Sequence, residues 1–380
     1  MAMESLIRCG EISRSELAAM TGLSRSTVTE VIQELLDCGM LNELPVVIDG
    51  ARRGRPAVRL SLCASHGYFV GAGISEVRSS MVLTDLRGGV LAECSLPFSS
   101  DPDELAGSIR ACLGSLTREA GIDEKAVLGL GLAVPGIVDM ADGGCRLSAA
   151  LGWRDVPIVE IVERAAGVPA CIGNDADAIA VAQRLFGVAR EIDDFACIML
   201  GHRIGCAHYM DGRLYSGHGG SAGEIGHITA DPAGAYCRCG KRGCLDTVAG
   251  GQAIREAARA MGLHCDTVHE LEQLAAEGDA QAIALLRRAG EALGLAVASL
   301  IQINNPATVL FADLEGFGNG LFYTSTRQTV ENNILPRFLS STQIVFQPVE
   351  YSFLARGAAS VAAQTYLIEY AGRPKRMVAR

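Results

Sequence analysis

Three patterns of apolar spacing succeed one another along the chain. In SRSTVTEVIQELL, beginning at Ser24, the residues Val28, Val31, Ile32 and Leu35 recur at i, i+3, i+4 and i+7, the stripe of an amphipathic helix. Its polar side carries Arg25, Ser26, Thr27, Thr29, Glu30 and Gln33. Just upstream, Ser13 and Glu16 fit a capping box, and Thr21-Gly22-Leu23 reads as a turn, so two short helices meet around a glycine. Next, Val58, Leu60 and Leu62 alternate with Arg59 and Ser61, the period of a strand. With LNEL before a Gly- and Arg-rich tip, this is the outline of a wing. From Gly67 the spacing changes again. GYFVGAGIS, SSMVLTDL and GVLAECSLPF predict three successive strands, ELAGSIRACLGSLTREA a helix, AVLGLGLAVPG a strand and IVEIVERAAG a helix. VPACIGND then runs into the helix DAIAVAQRLFG. FACIMLG, IGCAHYMDG and GRLYSG form a second strand group, followed by the long helix AIALLRRAGEALGLAVASLIQI, the strand ATVLFAD and more helix. Two strand-rich units backed by helices predict an α/β protein with two lobes and a cleft between them.

Composition narrows the picture. The 380 residues are 49% apolar, enough for two or three cored domains, and the formal net charge is -10. Bulk charge therefore cannot drive nucleic-acid binding; only placed contacts can. The helical pair around Gly22 has the form of a helix-turn-helix, with Arg25, Ser26, Thr27 and Thr29 facing a major groove. A helical hairpin that only packs is the alternative. Arg53-Gly54-Arg55-Pro56, in the wing tip, matches the core of an AT-hook, whose arginines lie in a narrow minor groove. Glu30 on the same helix face either accepts from a cytosine amino group or repels phosphate. MAMESLIRCG leaves few residues to brace the motif from the front. Glu4 and Arg8 interrupt any secretory apolar core, and VLGLGLAVPGIV is too short to span a bilayer, so a cytoplasmic protein with no membrane partner is expected.

Thirteen cysteines are an odd number for disulfides, and most sit singly in apolar segments as reduced thiols. The exception is GHITADPAGAYCRCGKRGCLD, Gly226 to Asp246. Cys237, Cys239 and Cys244 supply three soft thiolates, and His227 can close a tetrahedron as in a structural zinc site. The Cys-x-Cys spacing departs from the usual Cys-x2-Cys, so free thiols remain the alternative.

The order of motifs resembles the ROK family of bacterial sugar kinases and sugar-responsive repressors. GLGLAVPGIVD (Gly129 to Asp139), LGWRDVP (Leu151 to Pro157), GNDADAIAVAQRLFG (Gly173 to Gly187), GEIGH (Gly223 to His227) and CRCGKRGCLD (Cys237 to Asp246) carry the likeness. GLSRSTVTEVIQELL with GRP in the wing resembles the repressor branch. The resemblance implies a two-lobed, actin-like (ribonuclease H-like) ATPase-type fold behind an N-terminal winged helix-turn-helix. It divides the chain into a DNA-binding domain (1–65), an N-terminal lobe (66–190), and a C-terminal lobe with the zinc loop and dimerisation helices (191–380). It implies a structural Zn2+ on His227, Cys237, Cys239 and Cys244, and sugar contacts from Asn174, Asp175, Glu224, His227 and Asp246. His227 would give one ring nitrogen to the metal and the other to a sugar hydroxyl. In the family's kinases the aspartate matching Asp175 is the catalytic base; alternatively, Asn174-Asp175 simply caps a helix.

Several positions depart from the family pattern. Ala150 stands where asparagine is frequent, and Asp246 where glutamate is usual. The kinases' Asp-x-Gly-Gly-Thr phosphate cradle is here GISEV: Gly73 replaces the aspartate, and Ser75, Glu76 and Val77 replace the Gly-Gly-Thr. Glu76 places negative charge where phosphates would sit. Gly201-His202-Arg203 replaces Gly-Thr-Gly, and Ala312-Asp313 replaces a Gly-Gly. These losses argue against phosphoryl transfer, leaving Asp175 as a ligand contact rather than a catalytic base. The expected protein is not an enzyme. It is a sugar-responsive transcriptional regulator of carbohydrate metabolism genes, a repressor by resemblance, that binds operator DNA as a homodimer or tetramer and takes a sugar or sugar derivative as effector. The alternatives are a regulator that has lost sugar sensing and answers to another ligand or a protein partner, and, last, an ATP-dependent sugar kinase.

Overall fold

The computed structural model describes residues 2–44 and 58–372. The first element is the helix α1 (Ala2–Cys9), followed by strand β1 (Glu11–Ser13), α2 (Arg14–Thr21), α3 (Arg25–Asp37), β2 (Leu41–Glu43) and β3 (Arg59–Leu62). The local chemistry behaves as the sequence predicts. The Ser13 hydroxyl accepts from the Glu16 amide, and Glu16 accepts from the Ser13 amide at 2.8 Å, completing the capping box. Gly22, at φ 68°, ends α2 in the left-handed region and Ser24 caps α3. Val28 and Ile32 are buried, while Arg25, Ser26, Thr27, Thr29 and Glu30 are exposed on the other side of α3. The strands form a sheet in the order β1-β3-β2, one strand more than the two-strand wing expected. Being central in that sheet, β3 buries Ser61 as well as Leu60 and Leu62, so only Arg59 of the two polar alternates faces water. Arg53 and Arg55, with the whole AT-hook match, lie outside the described residues.

Next come β4 (Tyr68–Gly73), β5 (Ser79–Asp85), β6 (Val90–Leu96), α4 (Pro102–Ala120) and β7 (Val127–Val134). A small antiparallel sheet that the sequence did not announce follows: β8 (Ile137–Asp139), β9 (Gly144–Ser148) and β10 (Trp153–Val156). Then come α5 (Ile158–Ala166), β11 (Ala170–Asn174) and α6 (Asp175–Phe186). The first large sheet has the order β11-β7-β4-β5-β6, antiparallel from β4 to β6 and parallel from β4 to β11.

The second half repeats this design. β12 (Phe195–Leu200), β13 (Ile204–Met210) and β14 (Arg213–Leu214) form an antiparallel meander. After the cysteine loop come α7 (Asp246–Ala249), α8 (Gly251–Ala260), α9 (Val268–Ala276) and α10 (Ala280–Asn304). The half ends with β15 (Thr308–Asp313), α11 (Leu321–Asn333), β16 (Gln343–Pro348) and α12 (Tyr351–Gly372). The sheet order β14-β13-β12-β15-β16 is that of the first sheet, with β15 and β16 parallel to β12. Two such sheets, each backed by helices, are the two-lobed α/β architecture expected.

The last helix of the chain returns to the first unit. α12 crosses back and packs on β4, β5, β7 and α6 of the first unit. Gly71 and Gly131 make this possible. They face each other across β4 and β7, and a β-carbon on either would lie 1.9 Å from a carbonyl oxygen of α12, Ala355 and Ala358 respectively. Only bare backbone lets the helix sit that close. Among the described residues no helix is long and apolar enough to cross a membrane.

Candidate functional site

The cysteine loop hangs from β13. Gly223 and Gly226 press against the carbonyls of Cys206 and Ile204, where a β-carbon would come within 2.0 and 2.4 Å. This seats the one-turn 3-10 segment Ile225–His227 on the strand. Beyond it the chain folds on itself: the Ala230 and Asp231 amides donate to the Gly243 carbonyl, and the Cys237 amide donates to Lys241 at 2.8 Å. Gly240, at φ 91°, makes the tight return. The Lys241 ammonium donates to the His227 carbonyl at 2.7 Å, tying the two ends of the cluster.

The side chains then converge. One donor atom from each of His227, Cys237, Cys239 and Cys244 falls within 4.8 Å of the others. His227 Nδ1 lies 3.6 Å from Cys237 Sγ, and Cys239 Sγ lies 3.6 Å from Cys244 Sγ. A tetrahedron with sulfur arms of ~2.3 Å has edges of ~3.8 Å. The spacing and the donor chemistry therefore fit a four-coordinate ion and no disulfide. With Nδ1 turned to the sulfurs, His227 Nε2 faces outward, 3.8 Å from Glu224 Oε2.

That outward face is one wall of the cleft between the two sheets. Asp175 opens α6 and accepts from the Ala176 amide at 2.9 Å; burial lifts its pKa to about 6. Burial, and then the charge of Asp175, raise Glu224 as well. Asp246 begins α7, and its Oδ1 accepts from the Ile204 amide at 2.9 Å, so it braces the turn after Arg203; burial is the main reason its pKa is raised. Asn174 caps α6 through Oδ1 and donates from Nδ2 to the Gly136 carbonyl at 2.8 Å, so the capping reading holds for it. Arg203 is the counter-charge: it offsets part of the rise at Asp175 and Asp246, and, after burial, helps to lower His227. Asp175, Glu224, His227 and Asp246 thus share one electrostatic neighbourhood, with Asn174 at its edge.

Two groups here were not picked out from the sequence. Asp177 lies two residues beyond Asp175 in α6; burial, with the charges of Asp175 and Glu224, pushes its carboxyl up to about 7. Acidic residues in a first helical turn are common for dipole reasons alone, so nothing in DADA singled it out. The other is an ionic network around His202. Arg255 pairs with Glu315, donates to His202 Nδ1 at 2.8 Å, and Glu315 Oε1 receives the Tyr351 hydroxyl at 3.4 Å. Ala150, the expected loss in the sugar pattern, is half-buried against the apolar core of the first unit.

A cavity of about 40 Å³ is left between Ser75, Glu76, Asp175, Arg203 and Tyr351, which is room for water but not for a nucleotide. A larger cavity of about 460 Å³ lies between α9, α10 and the start of α11 and contains none of these groups.

Burial of several carboxylates has a stability consequence. Asp177 rises from 3.8 to about 7 on folding, so it stabilises the fold fully below pH 4 and ceases to do so as pH rises through 7. The sugar-free protein is expected to lose melting temperature between pH 5 and pH 8. Asp177→Asn should flatten that slope and raise the melting temperature at pH 8; a slope equal to wild type would contradict the assignment.

A small helix-turn-helix head ahead of two sheets of repeated design, each backed by helices, defines a DNA-binding regulator built on a sugar-kinase-type scaffold. The chain belongs to the ROK family, whose profile matches residues 73–365, and a winged helix-turn-helix DNA-binding profile matches residues 3–42. It is 27% identical over 345 residues to a putative xylose repressor of Caldicellulosiruptor sp. (strain Rt8B.4), covering 87% of this chain and 86% of the relative. It is 26% identical to the DNA-binding transcriptional repressor Mlc of Escherichia coli (strain K12), covering 90% and 86%. A crystal structure of a ROK family transcriptional regulator, described as a homologue of the E. coli Mlc protein, superimposes with a TM-score of 0.80 at 26% identity, over 96% of this chain and 94% of that one. The chain is a transcriptional regulator of this family and not a kinase.

Proposed function

We propose that the chain binds a neutral sugar in the cleft and converts its presence into a change in operator affinity. The relatives named as xylose repressors and Mlc support this class of role. The observation that carries it is the course of α6. The helix starts at Asp175 in the cleft and runs ~18 Å, twelve residues at ~1.5 Å each, to the base of the head. There α1 packs on α6 and α12, with Leu6 and Ile7 in the same buried cluster as Ile179, Ala180 and Ala359. Arg190 donates to the Arg8 carbonyl, and Arg87, on the first unit, donates to the Leu62 carbonyl of β3 at 2.7 Å. The head is thus seated on the helix that the sugar would touch, so a shift of α6 would move it.

Within this reading, Asp175, Glu224, Asp246, Asn174 and the outward nitrogen of His227 receive sugar hydroxyls. His227, Cys237, Cys239 and Cys244 hold a structural Zn2+ that fixes the aim of that nitrogen. Arg25, Ser26, Thr27 and Thr29 contact the major groove, and Arg53 and Arg55 the minor groove. Two copies of the chain serve two half-sites, since one helix-turn-helix covers only one. The units follow 1–65, 66–190 and 191–380, with α12 returned to the first lobe.

A thermal-shift screen of zinc-loaded protein against neutral sugars, amino sugars and sugar phosphates, with ATP as control, tests the effector class. One sugar should raise the melting temperature while ATP does not. Asp175→Ala should then weaken that sugar ~10- to 100-fold, as expected for a charged hydrogen-bond acceptor. A second reading, a regulator that no longer senses a simple sugar, draws on Asp246, whose carboxylate is already engaged by Ile204. Absence of any sugar shift would favour it.

A further inference from the structure

Glu76, at the β4–β5 connection of the first lobe, is met by two guanidinium groups from the second. Arg203, on the β12–β13 turn, pairs with Oε2, and Arg238, between Cys237 and Cys239 of the metal loop, donates to Oε1 at 2.7 Å. His202 Nε2 stands 4.0 Å from Oε2. The carboxylate side chain is 18% exposed and that of Arg203 22%, so the pair is only partly screened by water. Each oxygen has its own cation, and the three groups come from three separate segments of the chain. This is the arrangement in which proteins hold a phosphate: two guanidinium donors on two adjacent oxyanion positions. Here the anion is part of the chain.

We propose that Glu76 determines the ligand class of the cleft: it occupies the anion position between Arg203 and Arg238 and so excludes phosphorylated ligands. A phosphate entering the cleft has to displace the carboxylate from both arginines and then stand beside it, like charge against like charge. A neutral sugar meets no such barrier. The substitution of Glu76 into the former phosphate cradle is on this view a replacement of the ligand's charge rather than decay of the site. The proposal rests on the cleft being a ligand site, but its test does not depend on which sugar binds.

The test is isothermal titration of the full-length, metal-loaded chain with inorganic pyrophosphate at low salt. Wild type should show no binding at millimolar concentration. Glu76→Ala and Glu76→Gln should bind at least tenfold more tightly, with affinity falling as salt rises. Adding Arg203→Met and Arg238→Met to Glu76→Ala should return the chain to wild-type indifference. Circular dichroism and metal content confirm that each variant is folded. Pyrophosphate affinity unchanged in both Glu76 variants overturns the proposal, as does a triple variant that binds as well as Glu76→Ala. If Glu76→Ala gains pyrophosphate while no sugar shifts the wild-type melting temperature, the anion gate stands and the neutral-sugar reading falls.

Discussion

Exchanging Cys239 for serine is expected to remove the metal and the sugar response in one step. The loop from Thr229 to Cys244 has little apolar support of its own: Tyr236 is 78% exposed, and the chain there is held by backbone hydrogen bonds, Lys241 and the converging thiols. Cys239 is the ligand to change, because it is less buried than Cys237 and Cys244 and its loss leaves less of a hole. A hydroxyl is a poor zinc ligand, so a tetrahedral site reduced to three donors should fall from about one ion per chain to a small fraction. Freed from the ion, the His227 ring loses the constraint that points Nε2 at Glu224. Outer contacts of this kind are worth ~10- to 100-fold in affinity. Metal analysis by mass spectrometry and titration with the sugar found in the screen measure the two losses. A metal-free variant that keeps its sugar affinity within twofold would show that the loop does not read the ligand.

Gly131→Val is expected to produce the largest loss of stability in the body of the protein. The new side chain would begin 1.9 Å from the Ala358 carbonyl oxygen, a backbone atom that cannot swing aside. Either α12 lifts from the sheet or β7 shifts, and both disturb the close packing of α12 on β4 and β7. Overpacking against backbone should cost ~3 kcal/mol or more, which corresponds to ~6–12 °C in a domain of this size. Gly107→Ala provides the contrast. Gly107 lies on α4 with nothing within 4 Å of a built β-carbon, and alanine there should be neutral or stabilising by up to ~1 kcal/mol. Thermal melts of the two variants side by side give the comparison; a Gly131→Val melting temperature within 2 °C of wild type would mean that α12 has slack the structure does not show.

What the sequence disclosed and what it withheld divide along physical lines. Local chemistry was legible. Ser13, Glu16, Gly22 and Ser24 act within a few residues of themselves, and the Val28–Ile32 stripe needs only helical periodicity. The His227, Cys237, Cys239 and Cys244 cluster was legible because four potential ligands crowd into eighteen residues. Contacts made at long range were not. Gly71 and Gly131 read as strand glycines, since the helix that needs them arrives more than 200 residues later. The β8–β10 sheet was hidden because its strands are only three to five residues long and carry no clean alternation. Glu76 looked like a damaged phosphate turn because its partners, Arg203 and Arg238, belong to the other half of the chain. The bond from the Ile204 amide to Asp246 Oδ1 is likewise invisible in the motif.

The central claim is that the cleft and the head are coupled, and reciprocity tests it most directly. Genomic fragments retained by the full-length chain supply the DNA, and the sugar from the thermal-shift screen supplies the effector. Fluorescence anisotropy then gives DNA affinity with and without sugar, and titration gives sugar affinity with and without DNA. The coupling through α6 requires both ratios to differ from one, by the same factor, about 5- to 150-fold for an allosteric regulator. Sugar that binds the cleft while leaving DNA affinity unchanged would contradict it.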